Sequence, residues 1–389
     1  MSESYHSLLS WFHAEGGYIH PAVTVTSLGE FGRGIVVTGS DRVKEGETLL
    51  SISNSSRSLL RASNTAHSIV LSVIEDDQYS DWWEASLLVL AECVRHDSLW
   101  RPVFQEAPNE YTCAVYWTDE DLAELIGAGS SWLLEQVNFE RRKLQEEYLA
   151  VKRLILDYYD KESIFPEAAS TFENYKWMRA FLKTRGFDFE VKGKDISVVA
   201  PVFDMLNHSS EPTVVNTRIV LNLEDDIVRA IAKRDLNRGE QLLICYDDTS
   251  TNADLLCRYG FIPDGNPNKR VALPVLKNLP GCEDLASESL WVQSSGKISP
   301  SLYALLDQYF GSDLKSLYEA LLANVARYLQ SWSHSVDHYR TTAKVGSTYV
   351  SRCIASVFAE EHDILTAFHT AVSRHLTGDS LDVLYQLCQ

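Results

Sequence analysis

The sequence lacks a long apolar run, and this absence bears on where the chain can function. No stretch of its 389 residues approaches the roughly 18 consecutive apolar residues that a membrane-spanning helix needs. Residues 1–6 also show no basic segment ahead of an apolar one, so no secretory signal is predicted. We therefore expect no membrane association and a cytoplasmic location, with the nucleus as the alternative.

Basic residues are scarce relative to acidic ones. Lysine and arginine number 35 against 54 aspartates and glutamates, which gives a formal net charge of -19. Such a surface repels phosphate backbones, so we expect no direct nucleic-acid partner. It would attract a basic protein instead, although a high net charge also serves solubility alone.

Cysteine pairs at metal-binding spacings are missing as well. Seven cysteines occur, an odd number, and no two of them form a CxxC or another zinc-type spacing. In the absence of a secretory signal, reduced intracellular thiols are the expected state. We predict no metal site.

What the chain does have is enough apolar material for a folded core, since apolar residues make up 45% of it. Short β-type runs occupy the first 80 residues, and helical periodicity prevails from 81 to 183. Strand character returns between 184 and 268, and helical patterns fill 269–389. These patterns predict an α+β chain, in which a β core is interrupted by a helical insert and followed by an all-helical domain.

Three polar motifs stand next to predicted strands. A glycine turn, Gly32-Arg33-Gly34, could bring backbone close to a ligand, or it could be only a tight turn. Asn207-His208 follows an apolar strand, and His208 could be a metal ligand, a base or a structural hydrogen-bonding group. Tyr246 ends an apolar run and could place its phenol in a pocket or simply pack in a core. Each motif alone favours the structural alternative.

Taken together and in this order, the motifs resemble the SET-domain methyltransferases, in particular the branch of the Rubisco large-subunit lysine methyltransferase. The resemblance rests on three blocks and covers residues 5–265. The blocks are Phe31-Gly32-Arg33-Gly34, Asp204-Met205-Leu206-Asn207-His208-Ser209, and Cys245-Tyr246 with the following Asn252 to Phe261. It implies a SET β core in which the Asn-His and Tyr segments cross in a knot-like active site.

The resemblance also implies a cofactor, S-adenosylmethionine, and roles for individual residues. Tyr246 matches the catalytic tyrosine and also contributes to the cofactor site. Arg185 matches the arginine that pairs with the cofactor carboxylate. The implied cofactor-binding residues are Phe31, Gly32, Arg33, Gly34, Arg185, Asn207, His208 and Tyr246, and the implied substrate-binding residues are Asp204, Tyr259 and Phe261.

The implied activity is protein-lysine N-methylation of a basic, non-histone protein. From charge alone, ribosomal proteins, translation factors and histones are all candidate substrates, and the resemblance favours the non-histone ones. A protein-histidine methyltransferase is one alternative, although Tyr259 ahead of Gly-Phe looks more like the lysine enzymes. A non-catalytic SET-fold binding module is another, but it would predict loss of Asn207, His208, Arg185 and Tyr246, all of which are present.

Overall fold

The structure, a computed structural model, describes residues 5–29, 32–39, 42–60, 81–126, 131–159, 167–191, 194–273, 290–310 and 313–377. The chain divides into two compact units. The first contains residues 1–111, 143–248 and 263–265, and the second contains 112–142, 249–262 and 266–389. Each unit draws on separate segments of the chain, and the predicted boundaries at 80, 183 and 268 stay predictions.

The first unit is built on a four-stranded antiparallel sheet in the order β1-β4-β9-β8. Its strands are β1 (Tyr18–Ile19), β4 (Thr48–Ser53), β8 (Thr217–Asn222) and β9 (Ile227–Ala232). In β9, Val228, Ala230 and Ala232 are buried and alternate with more exposed residues. This period of two is what a sheet with one buried face requires.

Smaller strand pairs complete the β part of this unit. Two antiparallel hairpins join β2 (Val23–Ser27) to β3 (Arg33–Val37) and β5 (Gly186–Val191) to β6 (Lys194–Val199). A third pair, β7 (Asn207–His208) with β10 (Leu243–Ile244), is parallel. The chain therefore brings two segments that are distant in sequence into direct backbone pairing.

Helices of the first unit carry their apolar residues at helical spacing. They are α1 (His6–Ala14), α2 (Asp81–Cys93), α3 (Arg101–Glu106), α6 (Phe172–Arg185) and the second half of α5 (Trp132–Tyr159). Helix α6 begins after Thr171, whose side chain accepts a hydrogen bond from the Asn174 amide, as a good N-cap does. It ends at Arg185, directly before β5.

The second unit is mainly helical around an apolar core of its own. It holds the first half of α5 together with α4 (Asp119–Ile126), α7 (Asn252–Tyr259), α8 (Pro300–Phe310), α9 (Leu314–Gln330), α10 (Val336–Val345), α11 (Tyr349–Thr377) and the strand pair β11 (Arg270–Ala272) and β12 (Trp291–Gln293). Helix α11 buries Ile354, Phe358, Leu365 and Phe368 along one side. Among the helices described, none is long and apolar enough to cross a membrane.

Most predicted elements are present, with two differences. The region 269–389, predicted to be all-helical, also contains the strand pair β11 and β12. The apolar run from Gln241 to Tyr246 has the pattern of one buried strand, but only Leu243–Ile244 forms a ladder. Its backbone groups change partners instead, because the Leu242 amide donates to Ile35 at 2.8 Å and the Tyr246 amide donates to His208 at 2.9 Å. A segment that alternates partners in this way does not form a long strand.

Candidate active site

The three predicted motifs of the first unit lie side by side. Pairing of β7 with β10 sets Asn207 opposite Leu243 and His208 opposite Ile244. The Ser209 amide also donates to the Ile244 carbonyl at 2.9 Å. Since the Leu242 amide bonds to Ile35 of β3, all three motif segments meet at this point.

The glycine turn lies close to Asn207. The side-chain amide of Asn207 donates to the Arg33 carbonyl at 2.9 Å. A Cβ at Gly34 would lie only 2.8 Å from that amide nitrogen and 2.6 Å from Leu28 Cδ1, so a larger residue would force these side chains to move. Gly32 has φ +75°, a conformation that other residues rarely adopt. Glycine is therefore favoured by close packing at position 34 and by backbone conformation at position 32.

His208 is a neutral, fully engaged side chain. Its Nδ1 accepts the backbone N–H of Tyr246 at 2.9 Å, so the ring proton lies on Nε2, which donates to the Ser210 hydroxyl at 2.7 Å. Burial lowers the pKa of His208 to about 4, although the charge of Asp247 opposes this shift. Of the alternatives open from the sequence, the geometry supports a hydrogen-bonding role that positions Tyr246.

Tyr246 is fixed at both its backbone and its phenol. The hydroxyl donates to the Leu206 carbonyl at 2.8 Å, and the ring centroid lies 5.0 Å from that of His208. Because the phenol proton is used in this bond, the oxygen can act toward an incoming N–H group only as an acceptor. This is the arrangement that could orient an amine.

An arginine–aspartate–arginine cluster lies next to these motifs. Arg185 Nη1 lies 2.5 Å from Asp204 Oδ2, and Arg33 Nη2 lies 3.6 Å from the same oxygen. Only 3% of the Asp204 side chain is exposed. Burial raises the pKa of Asp204, but the Arg33 guanidinium opposes that shift. Two guanidinium groups around it are the partners that favour its charged form.

Arg185 keeps one unused donor. Its Nε is buried and has no hydrogen-bond partner among the described residues. Arg33, by contrast, also donates to the Glu106 carbonyl. A buried guanidinium N–H without an acceptor is costly, so Arg185 is suited to binding an anionic group brought by a ligand.

Two further residues, Ser210 and Asn216, hold the site segments in place and were not predicted from the sequence. Ser210 is the partner of His208 Nε2. Asn216 is buried, donates through Nδ2 to the Gln241 carbonyl at 2.8 Å and accepts the Leu243 amide at 2.8 Å. Asn216 thereby holds the segment that leads to Tyr246. No sequence pattern distinguishes it from an ordinary turn asparagine.

The remaining predicted residues lie elsewhere or outside the described chain. Phe31 is not among the described residues. Tyr259 and Phe261 belong to the second unit, where their ring centroids are 6.1 Å apart. Within the described ranges, no group of three or more His, Cys, Asp or Glu side chains could hold a metal ion.

Comparison with known proteins identifies the family. The model of the SET domain matches residues 32–247, which is more than half of the chain and includes every motif described above in the first unit. The chain belongs to the SET-domain family. The family predicted from the three motif blocks is thereby confirmed, and with it the SET β core.

Two curated relatives show what kinds of protein share this SET domain. The Rubisco large-subunit N-methyltransferase of Pisum sativum is 29% identical over 194 residues, covering 48% of this chain and 38% of that protein. The actin-histidine N-methyltransferase of Canis lupus familiaris is 27% identical over 187 residues, covering 48% and 30%. The chain thus spans well under half the length of these relatives.

The likeness to solved structures extends further along the chain. The SET domain of LSMT, crystallised with lysine and AdoHcy, superposes with a TM-score of 0.74 at 19% identity and covers 100% of this chain and 99% of that one. At this level of identity the match shows the fold. It includes the region after the SET domain, so the predicted class, a SET β core followed by a helical region, is confirmed.

Proposed function

We propose that this SET domain is an S-adenosylmethionine-dependent protein-lysine N-methyltransferase. The observation that carries the proposal is the convergence of the glycine turn, Asn207-His208 and Tyr246 through direct hydrogen bonds. Family membership supports methyl transfer, and the named relatives are N-methyltransferases of protein substrates.

The donor groups of the site fit the proposed cofactor. Arg185 offers a buried N–H without a partner in the described chain, suited to a carboxylate. Gly34, at which a Cβ would lie within 3 Å of Asn207 Nδ2, keeps the glycine turn packed directly against Asn207. Asn207 holds the Arg33 carbonyl of the turn, and His208 holds the Tyr246 amide, so the backbone of both segments is fixed next to Arg185 and Asp204. These residues would hold the cofactor, which when bound supplies an electrophilic methyl group on a sulfonium.

The chain's own contribution is to position the amine and to keep it neutral. Tyr246, whose hydroxyl proton is given to Leu206, presents an oxygen that accepts an N–H from the amine. An amine held in line with the methyl group gains much of its rate from alignment alone. Lysine has an ordinary pKa of about 10.4, and burial next to a positive charge lowers it, which releases the proton before transfer.

Lysine is preferred over histidine as the target residue. Tyr259 and Phe261, whose rings lie 6.1 Å apart in the second unit, match positions that the resemblance assigns to the lysine enzymes. A solved SET domain of the same fold binds lysine, whereas a relative 27% identical to this chain is an actin-histidine N-methyltransferase. The histidine activity is therefore the second candidate, and product analysis separates the two.

The activity is tested by incubating the protein with radiolabelled S-adenosylmethionine and a cell extract. We expect a labelled protein band that depends on the added enzyme, and mass spectrometry of that band names the substrate. A binding module without catalysis would give no labelled band, even when calorimetry shows that the cofactor binds.

Cofactor binding should depend on the polar pair of β7. We expect Asn207→Ala and His208→Ala each to weaken S-adenosylmethionine binding by roughly 1–3 kcal/mol. The first leaves the Arg33 carbonyl of the turn without its donor and the second leaves the Tyr246 amide without its acceptor, so the backbone around the cofactor site loses its support. Calorimetric titration measures the change, with His96→Ala, an exposed histidine, as the matched control. Folded variants with an unchanged dissociation constant would contradict the assignment.

The second unit is proposed to dock a basic protein substrate. Residues after about 270 contain none of the predicted site residues, and the chain is strongly acidic. Glu319 is a suitable probe because its side chain is 57% exposed and lies 4.0 Å from Lys315, a weak surface pair. Asp313 is unsuitable, since it caps α9 by accepting the Ser316 amide.

We expect Glu319→Lys to raise the KM for the protein substrate severalfold while cofactor affinity and melting temperature hardly change. Steady-state kinetics with the identified substrate measures this effect. Glu224→Lys, in an exposed turn of the first unit, is the control. The control should leave KM unaltered. If Glu319→Lys also leaves KM unaltered, the proposal that the substrate docks at Glu319 is wrong.

A further inference from the structure

A small cavity lies entirely within the second unit. Its walls include Trp132 at the start of α5, Asp254 of α7, Trp291 of β12, and Glu360 and Glu361 of α11. The space inside is about 30 Å³, enough for one or two groups the size of a water molecule. The cavity is thus too small for a nucleotide or a drug-sized ligand, but it can hold a compact head group.

Glu361 is the unusual residue of this cavity. Its side chain is buried, at 6% exposure, and its Oε2 has no hydrogen-bond partner within the described ranges. Buried carboxylate oxygens nearly always have a partner, because removing them from water without one is costly. The unsatisfied oxygen therefore points to a group that arrives from outside the chain.

The other polar residues of the cavity are already committed. Asp254 accepts the Trp132 indole N–H at 2.9 Å and the Thr251 amide at 2.9 Å. Glu360 accepts the Asn252 side-chain amide at 2.5 Å and pairs with Lys269. These bonds leave Glu361 as the acceptor that a ligand would use.

Arg270 does not take the role of that ligand. Its guanidinium donates to the Thr249 carbonyl at 2.7 Å and lies 5.7 Å from the centre of the Trp291 ring. The Trp291 ring therefore already has one cation beside it. Glu361 Oε2 has no donor among the described residues.

We propose that this cavity, the Glu361 cavity, binds a primary alkylammonium group through the Glu361 carboxylate. Three acidic side chains against one arginine in the wall favour a cation over an anion, and the indole rings of Trp132 and Trp291 are favourable neighbours for a cation. An ammonium is a compact point charge, whereas a guanidinium is a wider planar fork, so the volume favours the ammonium. This site is separate from the proposed methyl-transfer site, and its test does not use methyl transfer.

The charge state of Glu361 supports the proposal and supplies a distinctive readout. Burial, together with the negative charges of Glu360 and Asp254, raises the pKa of Glu361 to about 8. Tyr328 of α9 also faces it, since the Glu361 charge contributes to raising the pKa of that phenol. Below pH 8 the empty site is mostly protonated, so binding a cation must displace a proton.

Titration of the full chain with methylammonium chloride tests the proposal. The indole N–H signal of Trp132, assigned with Trp132→Phe, is followed by NMR, with sodium chloride at equal ionic strength as the reference. We expect saturable binding whose affinity rises about tenfold for each unit by which the pH is raised toward 8. Above pH 8 the affinity should stay constant. A response no larger than that to sodium chloride would overturn the proposal.

Variants separate a bound cation from a merely structural effect. Glu361→Gln should remove the binding, whereas Asp363→Asn, an exposed aspartate on the same helix, should retain it. If Glu361→Gln does not fold, Trp291→Leu provides a second test, with binding expected to weaken severalfold. Wild-type affinity in Glu361→Gln, or in Trp291→Leu, contradicts the site.

The source of the ammonium group is resolved by two further probes. A free diamine and the capped peptide acetyl-Gly-Lys-Gly-amide carry the same head group on different bodies. Stronger binding of the peptide assigns the site to a lysine of a protein partner, and stronger binding of the diamine assigns it to a free amine. If Glu361→Gln no longer binds the diamine or the peptide, that binding takes place in the Glu361 cavity.

Discussion

Replacing Tyr246 with phenylalanine will leave S-adenosylmethionine binding nearly intact while methyl transfer falls by about 10²–10³-fold. The ring, its packing on His208 and the backbone bond to His208 remain in the variant, so the cofactor site keeps its shape. What disappears is the phenol oxygen that would accept the amine N–H. Calorimetry measures the first quantity, and a transfer assay with saturating cofactor measures the second.

Tyr18→Phe is the matched control for this variant. Tyr18 lies on β1 with 41% of its surface exposed, so loss of its hydroxyl should change neither binding nor rate. A Tyr246→Phe protein that retains most of its turnover would remove the catalytic role of Tyr246. A variant that loses cofactor binding to the same degree as turnover would make Tyr246 a binding residue instead.

Asp204→Ala should produce the largest loss of stability among the site variants. The carboxylate is buried between Arg185 and Arg33, whose side chains are only 12% and 15% exposed. Its removal leaves two buried guanidinium groups without their shared anion, which typically costs about 3–5 kcal/mol of unfolding free energy. Urea unfolding followed by circular dichroism measures the difference.

Asp264→Ala, in an exposed turn of the same unit, is the matched control for Asp204→Ala. That substitution should change the unfolding free energy by no more than about 0.5 kcal/mol. Equal, small effects of both substitutions would show that Asp204 does not hold the arginines. Its assignment from the resemblance, as a residue lining the substrate, would then deserve preference.

Much of the fold could be predicted from the sequence because its elements carry regular apolar patterns. The period-two burial of β9 and the helical spacing on α11 are both evident in the residue order. The short length of β10 could not be predicted, because the residues on either side of it, Leu242 and Tyr246, donate to the Ile35 carbonyl and to the His208 ring. Periodicity describes which faces are apolar, and it does not describe which segment supplies a hydrogen bond.

The candidate site was predictable to the extent that its residues form motifs. The order of Asn207, His208 and Tyr246 along the chain predicts them as site residues, and the structure brings their segments into contact. The roles of Asp204 and Asn216 depend on partners far away in sequence, such as Arg185 and Gln241. Such pairings are decided by the tertiary fold, and a single sequence gives no signal for them.

Identification of the methylated residue tests the central claim most directly. The protein band labelled in the extract is hydrolysed to amino acids, and the labelled product is compared with authentic methyllysines and methylhistidines, with Tyr246→Phe enzyme as the background. A protein-lysine methyltransferase predicts the label in methyllysine, well above that background. Label in methylhistidine would contradict lysine specificity, and label no greater than with Tyr246→Phe would contradict methyl transfer at this site.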